Sequence, residues 1–170
     1  MFRLFAFLFF ATIAFNCEAQ PQTGVYVNGQ QMQAAYLQQL ELYYQTKVQP
    51  GRYWYDAYCG LWGMEGGPAL GVLMPNLQLG GALQPDASGG DTGIFINGRE
   101  INATERAQWE QLVGQITPDR YLLDAWGNVV TESGIYQLNL VQVVQQQAQA
   151  GYYNQQQRFE GYNNQGVHHD

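Results

Sequence analysis

The sequence predicts an α+β fold built from two copies of one unit, with antiparallel sheet. Three observations carry this. Gly24-Val25-Tyr26-Val27-Asn28-Gly29 returns as Gly93-Ile94-Phe95-Ile96-Asn97-Gly98, an offset of 69 residues. An aromatic stretch, Gly51-Arg52-Tyr53-Trp54-Tyr55-Asp56 through Gly66-Gly67-Pro68, returns in weaker form as Arg120-Tyr121-Leu122-Leu123-Asp124 through Gly134, now at an offset of 68. Between the two parts of each copy lies a helical stretch closed by Pro50 or Pro118. Self-similarity at a fixed period decides architecture before local detail does, so the chain reads as an internal duplication, hairpin-helix-hairpin twice, packed about a pseudo-twofold.

Each element has a local reason. Asn-Gly after β-branched residues signals a tight hairpin, because a type I′ turn needs positive φ at both central positions. In the first copy Tyr36, Leu37, Leu40, Tyr43 and Tyr44 recur at helical spacing up to about Thr46, with the tyrosines expected at core and rim. In the second, Asn102-Ala103-Thr104-Glu105 reads as an N-cap followed by Glu at the third helical position, predicting a helix from Ala103 to Val113 with Trp109, Leu112 and Val113 facing the core. The hairpins alternate: Tyr53 and Tyr55 share one face, while Arg52, Trp54 and Asp56 share the other, which is expected to be partly open.

The domain organisation follows. Residues 1–19 read as a secretory signal peptide: Arg3, an apolar run from Leu4 to Phe15, and small residues at Cys17 and Ala19. Unit one spans 24–68, a connection 69–92, unit two 93–134 and a docking segment 135–144, within a folded part of 20–144. Val72-Leu73-Met74 and Leu77-Gln78-Leu79 are candidate short strands in the connection. The docking segment is apolar enough to form a strand or a helix, and periodicity does not decide between them. Residues 145–170 are a Gln/Asn/Tyr-rich tract too poor in aliphatic groups for a core, and read as a disordered tail.

Composition limits function. The 170 residues carry a net charge of -7 and 12% charged side chains, with no cluster of Lys and Arg to hold a phosphate backbone, so nucleic acid is not an expected partner. The histidines, His168 and His169, stand at the extreme end, away from any candidate base or zinc pattern. After signal removal Cys59 is the remaining cysteine, either a free thiol or one side of an intermolecular bridge. Asp56 and Asp124 occupy equivalent turn positions, where a carboxylate accepts from backbone amides two residues on. Paired with Glu65 and Glu132 they would form the two carboxylates of a glycoside hydrolase, but a duplication gives two similar environments where such chemistry needs two different ones. Asp86 and Asp91 flank a Gly-rich loop that could offer oxygens to calcium, without the spacing of a dedicated calcium loop. Asn102-Ala103-Thr104 also matches a glycosylation acceptor.

The succession Asn-Gly, Arg-Tyr-Trp-x-Asp, Gly-x-Glu-Gly-Gly-Pro, carried here by Asn28-Gly29, Arg52 to Asp56 and Gly63 to Pro68, resembles a group of uncharacterised secreted bacterial proteins with the same duplicated unit. That resemblance implies a secreted, non-enzymatic protein. The hairpins also look like choline- or glucan-binding repeats, in which aromatics precede an Asp-x-x-Gly turn, although those repeats follow one another without intervening helices. The expected function is a secreted or periplasmic binding or structural protein in surface or matrix assembly, presenting Trp54, Tyr58, Trp62 and Trp126 with Arg52 and Arg120. A carbohydrate-binding module using the same aromatics is the alternative, and a small hydrolase the third. No cofactor and no catalytic residue are assigned. Expected partners are a protein or a polysaccharide, with self-association through the tail or Cys59.

Overall fold

The computed structural model describes residues 22–151. In chain order these form β1 (Val25–Val27), β2 (Gln30–Gln31), α1 (Ala34–Tyr44), β3 (Gly51–Tyr55), β4 (Leu61–Met64), β5 (Ala69–Val72), β6 (Phe95–Ile96), β7 (Arg99–Glu100), α2 (Ala103–Val113), β8 (Arg120–Leu123), β9 (Asn128–Thr131) and β10 (Tyr136–Asn139). A third helix, α3, covers 140–151.

The two Asn-Gly turns set the pattern. Asn28 and Gly29 have φ of 48° and 78°, and Asn97 and Gly98 have 51° and 86°, the left-handed pair that a type I′ turn demands. Each turn closes a very short antiparallel hairpin, β1 with β2 and β6 with β7. The chain then crosses over through a helix and returns beside its starting strand, so β1 pairs with β3, and β6 with β8, in parallel. The remaining pairings are antiparallel, giving two five-stranded sheets of order β2-β1-β3-β4-β5 and β10-β9-β8-β6-β7. Strand for strand these are the same sheet, which supports the α+β duplication read from the sequence. The parallel pairing was not foreseen: a helix between two strands permits it, as in any βαβ crossover, but sequence alone did not place the strands side by side.

The asparagines do more than turn. Asn28 accepts from the amide of Tyr55 and donates to its carbonyl, at 3.0 and 2.8 Å; Asn97 does the same with Leu123, both bonds at 2.9 Å. Each side chain thus completes the ladder one residue beyond the short strand and fixes the crossover register.

Helix α2 runs over the residues expected, with the Asn102 side chain accepting from the Glu105 amide at 2.9 Å. Trp109 packs on the core, whereas Leu112 is exposed. On α1 the packing residues are Leu37 and Leu40, and Tyr36 and Tyr43, expected at core and rim, are exposed. The reason is that α1 rests on the sheet by one narrow stripe and has no fully buried residue.

The connection contributes β5 at Ala69–Val72, earlier in the chain than expected. Leu77–Leu79 forms no strand, but Leu79 is buried against unit one. The docking segment is strand first and helix afterwards, and α3 continues through 145–151, residues expected in the disordered tail. The rest of that tail, with His168 and His169, and the segment read as a signal peptide lie outside the described residues. Among the described residues no helix is long and apolar enough to cross a membrane.

One core cluster joins Val25, Val27, Met32 and Tyr55 of unit one with Leu79 of the connection. The other joins the units: Trp54, Cys59 and Leu61 of unit one meet Ile94, Ile96, Ile101 and Leu123 of unit two. Sheet one is therefore covered on both faces, by α1 on the Tyr53/Tyr55 side and by unit two on the Trp54/Asp56 side.

Candidate functional site at the seam

The seam between the units holds most of the polar groups that are buried. Arg99, on β7, and Glu105, in the first turn of α2, are both 0% exposed. Their fork-to-fork pair has contacts of 2.7 and 2.8 Å, the bidentate geometry that suits a guanidinium to a carboxylate. Ser88 accepts from Arg99 at 2.7 Å and donates to the Glu100 carbonyl at 2.6 Å. The guanidinium carbon lies 3.9 Å from the centre of the Trp54 ring, a cation–π contact across the units. Glu105 also accepts from the amide of Ala69 in β5 at 3.3 Å. One ion pair thus ties β3, β5, β7, α2 and the connecting loop together. Arg99 Nε is the buried side-chain nitrogen or oxygen without a partner among the described residues.

Beside it, the Asp56 carboxylate accepts from the Tyr58 amide at 2.8 Å, from Asn97 Nδ2 at 2.7 Å and from the Cys59 thiol at 3.1 Å. Asn97 belongs to unit two, so the turn aspartate of unit one is also a latch. Burial, then the neighbouring Asp56 charge, push the Cys59 thiol far above its ordinary range, and a thiol that holds its proton in a closed core is a poor nucleophile. Cys59 is buried and unpaired, which removes the surface contact expected of it in self-association.

The residues expected to form a binding face are dispersed. Trp54, expected on an open face, is 0% exposed; its Nε1 donates to the Gly67 carbonyl at 3.1 Å, and its ring lies so close to Gly63 that a Cβ there would be 2.7 Å away. The correction follows from the packing of unit two over that face, which period-two alternation within one strand cannot reveal. Trp62 lies on the other face beside Tyr53, ring centres 6.1 Å apart. Tyr58 and Trp126 stand at equivalent hairpin tips and are exposed, 63% and 75%. Arg52 and Arg120 pair with Glu65 and Glu132 and lie over the rings of Tyr26 and Phe95. Glu65 and Glu132 therefore serve as partners of arginine, not as one half of an acid–base couple with Asp56 or Asp124.

The Asp86–Asp91 loop is a structural plug: Ala87 and Ser88 are buried, and the Glu100 amide donates to the Pro85 carbonyl. Among the described residues no three His, Cys, Asp or Glu side chains converge as a metal site. Sequence reasoning missed Arg99, Glu105 as an ion-pair partner, and the bridging role of Asn97. Their repeat counterparts are Gln30, Tyr36 and Asn28, so the duplication gave no hint of an ion pair confined to unit two.

Fold and seam define a duplicated α+β module held by an internal ionic core. The chain matches no protein-family model and no solved structure. It is similar to two plant proteins. Extra-large guanine nucleotide-binding protein 1 of Arabidopsis thaliana is 45% identical over 93 residues, which is 52% of this chain and 10% of that protein. Extra-large guanine nucleotide-binding protein 2 of the same plant is 46% identical over 59 residues, 35% of this chain and 7% of that protein. The chain thus spans a tenth or less of the curated relatives it matches. These relatives correct the expected function. The identity shared with proteins named for guanine nucleotide binding overturns the expected secreted binding or structural role, and its glycan and glycoside-hydrolase alternatives and the protein or polysaccharide partners expected with it are set aside.

Proposed function

We propose that this chain serves a guanine nucleotide-binding signalling system as an accessory module, standing beside the nucleotide-binding part rather than forming it. The identity shared with the two extra-large guanine nucleotide-binding proteins supports the first half of this reading. The second half rests on one observation: every Lys and Arg among the described residues, Lys47, Arg52, Arg99, Arg106 and Arg120, is already in an ion pair with a glutamate. A nucleoside triphosphate is held by unengaged cationic groups, helix N-termini and glycine-rich loops of the form G-x-x-x-x-G-K-[ST]. The one lysine of the sequence, Lys47, is followed by valine and has no such pattern before it. The module would then act by changing how a neighbouring nucleotide-binding part holds or releases nucleotide.

The test has two arms. A fluorescent GTP analogue is titrated onto the protein alone, with no saturable signal expected. Release of the same analogue from extra-large guanine nucleotide-binding protein 1 lacking its matching segment is then timed with and without this protein, and a changed release rate is expected. Tight binding to the protein alone would overturn the accessory role, and an unchanged release rate would overturn the link to nucleotide handling.

A further inference from the structure

We propose that the cavity beneath α1 is a binding site for a small, planar, apolar aromatic molecule of about two fused rings. The cavity, of about 310 Å³, lies between α1 and the Tyr53/Tyr55 face of sheet one. Its walls include Val25, Val27, Leu40, Tyr53, Tyr55 and Trp62. A largely apolar hollow can accept an apolar ligand, and ligand sites in proteins begin at about this size.

The second unit says what shape is missing. Val25 and Val27 correspond to Ile94 and Ile96, Tyr53 to Tyr121, and Leu40 to Trp109. The corresponding space beneath α2, lined by those counterparts, is smaller, about 220 Å³. There the Trp109 indole stands at the position that Leu40 holds in unit one. The fold therefore accommodates a bicyclic ring between helix and sheet in one copy and leaves the equivalent room unfilled by any described residue in the other.

The chemistry of the walls narrows the class. Each tyrosine phenol lining the cavity is committed to backbone. Tyr44 accepts from the Met74 amide at 2.8 Å, Tyr53 donates to the Gln49 carbonyl at 2.9 Å, and Tyr55 donates to the Met74 carbonyl at 2.6 Å. Lys47, at the rim, is engaged by Glu41. Thr46, Lys47 and Gln49 stand among its lining residues, and the rest of the lining is ring and aliphatic surface. A guanine base or a sugar would find too few polar groups there for its own donors and acceptors, a cost that disfavours both. An indole- or naphthalene-like ring would instead meet aromatic faces at stacking or edge-on distance. This site is independent of the nucleotide reading and stands or falls without it.

Naphthalene is the probe. Titrated into the full-length protein, it is expected to shift tryptophan emission saturably and to show NMR contacts with the Met32 methyl and the Trp62 ring, while guanosine does neither. Leu40→Trp, which copies the second unit, should weaken naphthalene binding at least about ten-fold with the thermal midpoint held or raised. Leu42→Trp, on the exposed side of the same helix, should leave binding unchanged. Absence of saturable naphthalene binding, contacts confined to residues outside the cavity, or undiminished affinity in a folded Leu40→Trp protein would each overturn the site. Should Leu40→Trp fail to fold, the contacts to Met32 and Trp62 in the unaltered protein decide the matter alone.

Discussion

Replacing Glu105 by leucine should be among the most destabilising single changes this protein can suffer, and most of the loss should return when Arg99 is replaced by methionine as well. In the native seam the Arg99 guanidinium is wholly buried, with two contacts to Glu105, one to Ser88 and the Trp54 ring beneath it. Removing the carboxylate strands that charge, and breaking a buried pair in this way costs about 3–5 kcal/mol. The Ala69 amide, which also turns to Glu105, adds to the loss. Against a total stability of about 5–15 kcal/mol for a domain, this is a large fraction, and for a chain of this size it lowers the melting midpoint by about 10 °C or more. The double variant Arg99→Met, Glu105→Leu removes both charges, both desolvation costs and the unpartnered Nε. Replacing a buried pair by apolar residues of similar volume is commonly neutral or stabilising, so the double variant should recover at least about 2 kcal/mol over Glu105→Leu. Equilibrium urea unfolding followed by tryptophan emission measures all four corners of the cycle. A Glu105→Leu cost below about 1 kcal/mol, or a double variant no better than the single, would refute the reasoning that the ion pair is closed to water.

Three further outcomes are expected. Trp54→Ala should cost about 3–5 kcal/mol in the same assay, as for a fully buried aromatic, while Trp126→Ala at the exposed tip should change stability by less than about 0.5 kcal/mol; similar losses at both would contradict the assignment of core and surface. Cys59 should resist a thiol reagent at pH 8 in the native protein and react freely once unfolded in urea; rapid native labelling would show that the thiol is neither buried nor protonated. Asp124 makes the seam-independent hairpin acid-sensitive. Its burial works to raise its pKa, but the Asn128 side chain and the amides of Asn128, Trp126 and Gly127 outweigh this and hold it below the ordinary value. A depressed carboxylate stabilises above its unfolded pKa of about 3.9 and loses that contribution as pH falls through the lower folded value. Asp124→Asn should therefore flatten the acid limb of the stability profile below about pH 4, and an unchanged limb would count against the turn geometry.

Much of the architecture was legible because its determinants are local. A positive-φ turn needs Asn-Gly wherever it occurs, and Asn102 with Glu105 three residues on marks a helix start by its own chemistry. The hairpin partners β3 with β4 and β8 with β9 were legible for the same reason, since a turn joins them directly. What stayed hidden depends on contacts between distant parts of the chain. Strand alternation separated Trp54 from Tyr53, but no pattern within β3 says that a second unit will cover the Trp54 side. Nothing local to the Asn97-Gly98 turn marks Arg99; only the fold brings it over the Trp54 ring and against Glu105.

The duplication both helped and misled, and the reason is physical. Equivalent positions share backbone, because turns and ladders constrain φ and ψ alike in both copies, yet two sheets in contact need not meet at the same residues of each. Asp56 is buried and accepts from Asn97 of the other unit, whereas its counterpart Asp124 accepts from Asn128 of its own hairpin. Trp54 lies in the core where Leu122 is exposed. Gln30 and Tyr36 lie on the surface where Arg99 and Glu105 form the buried pair. Selection on a repeat can keep the shared scaffold and let the contact residues diverge, so differences between copies carry information that similarities do not. By that logic Leu40, standing where the other copy has Trp109, is the difference on which the proposed aromatic site rests, because the strand order of both sheets is the same while the spaces beneath the two helices differ.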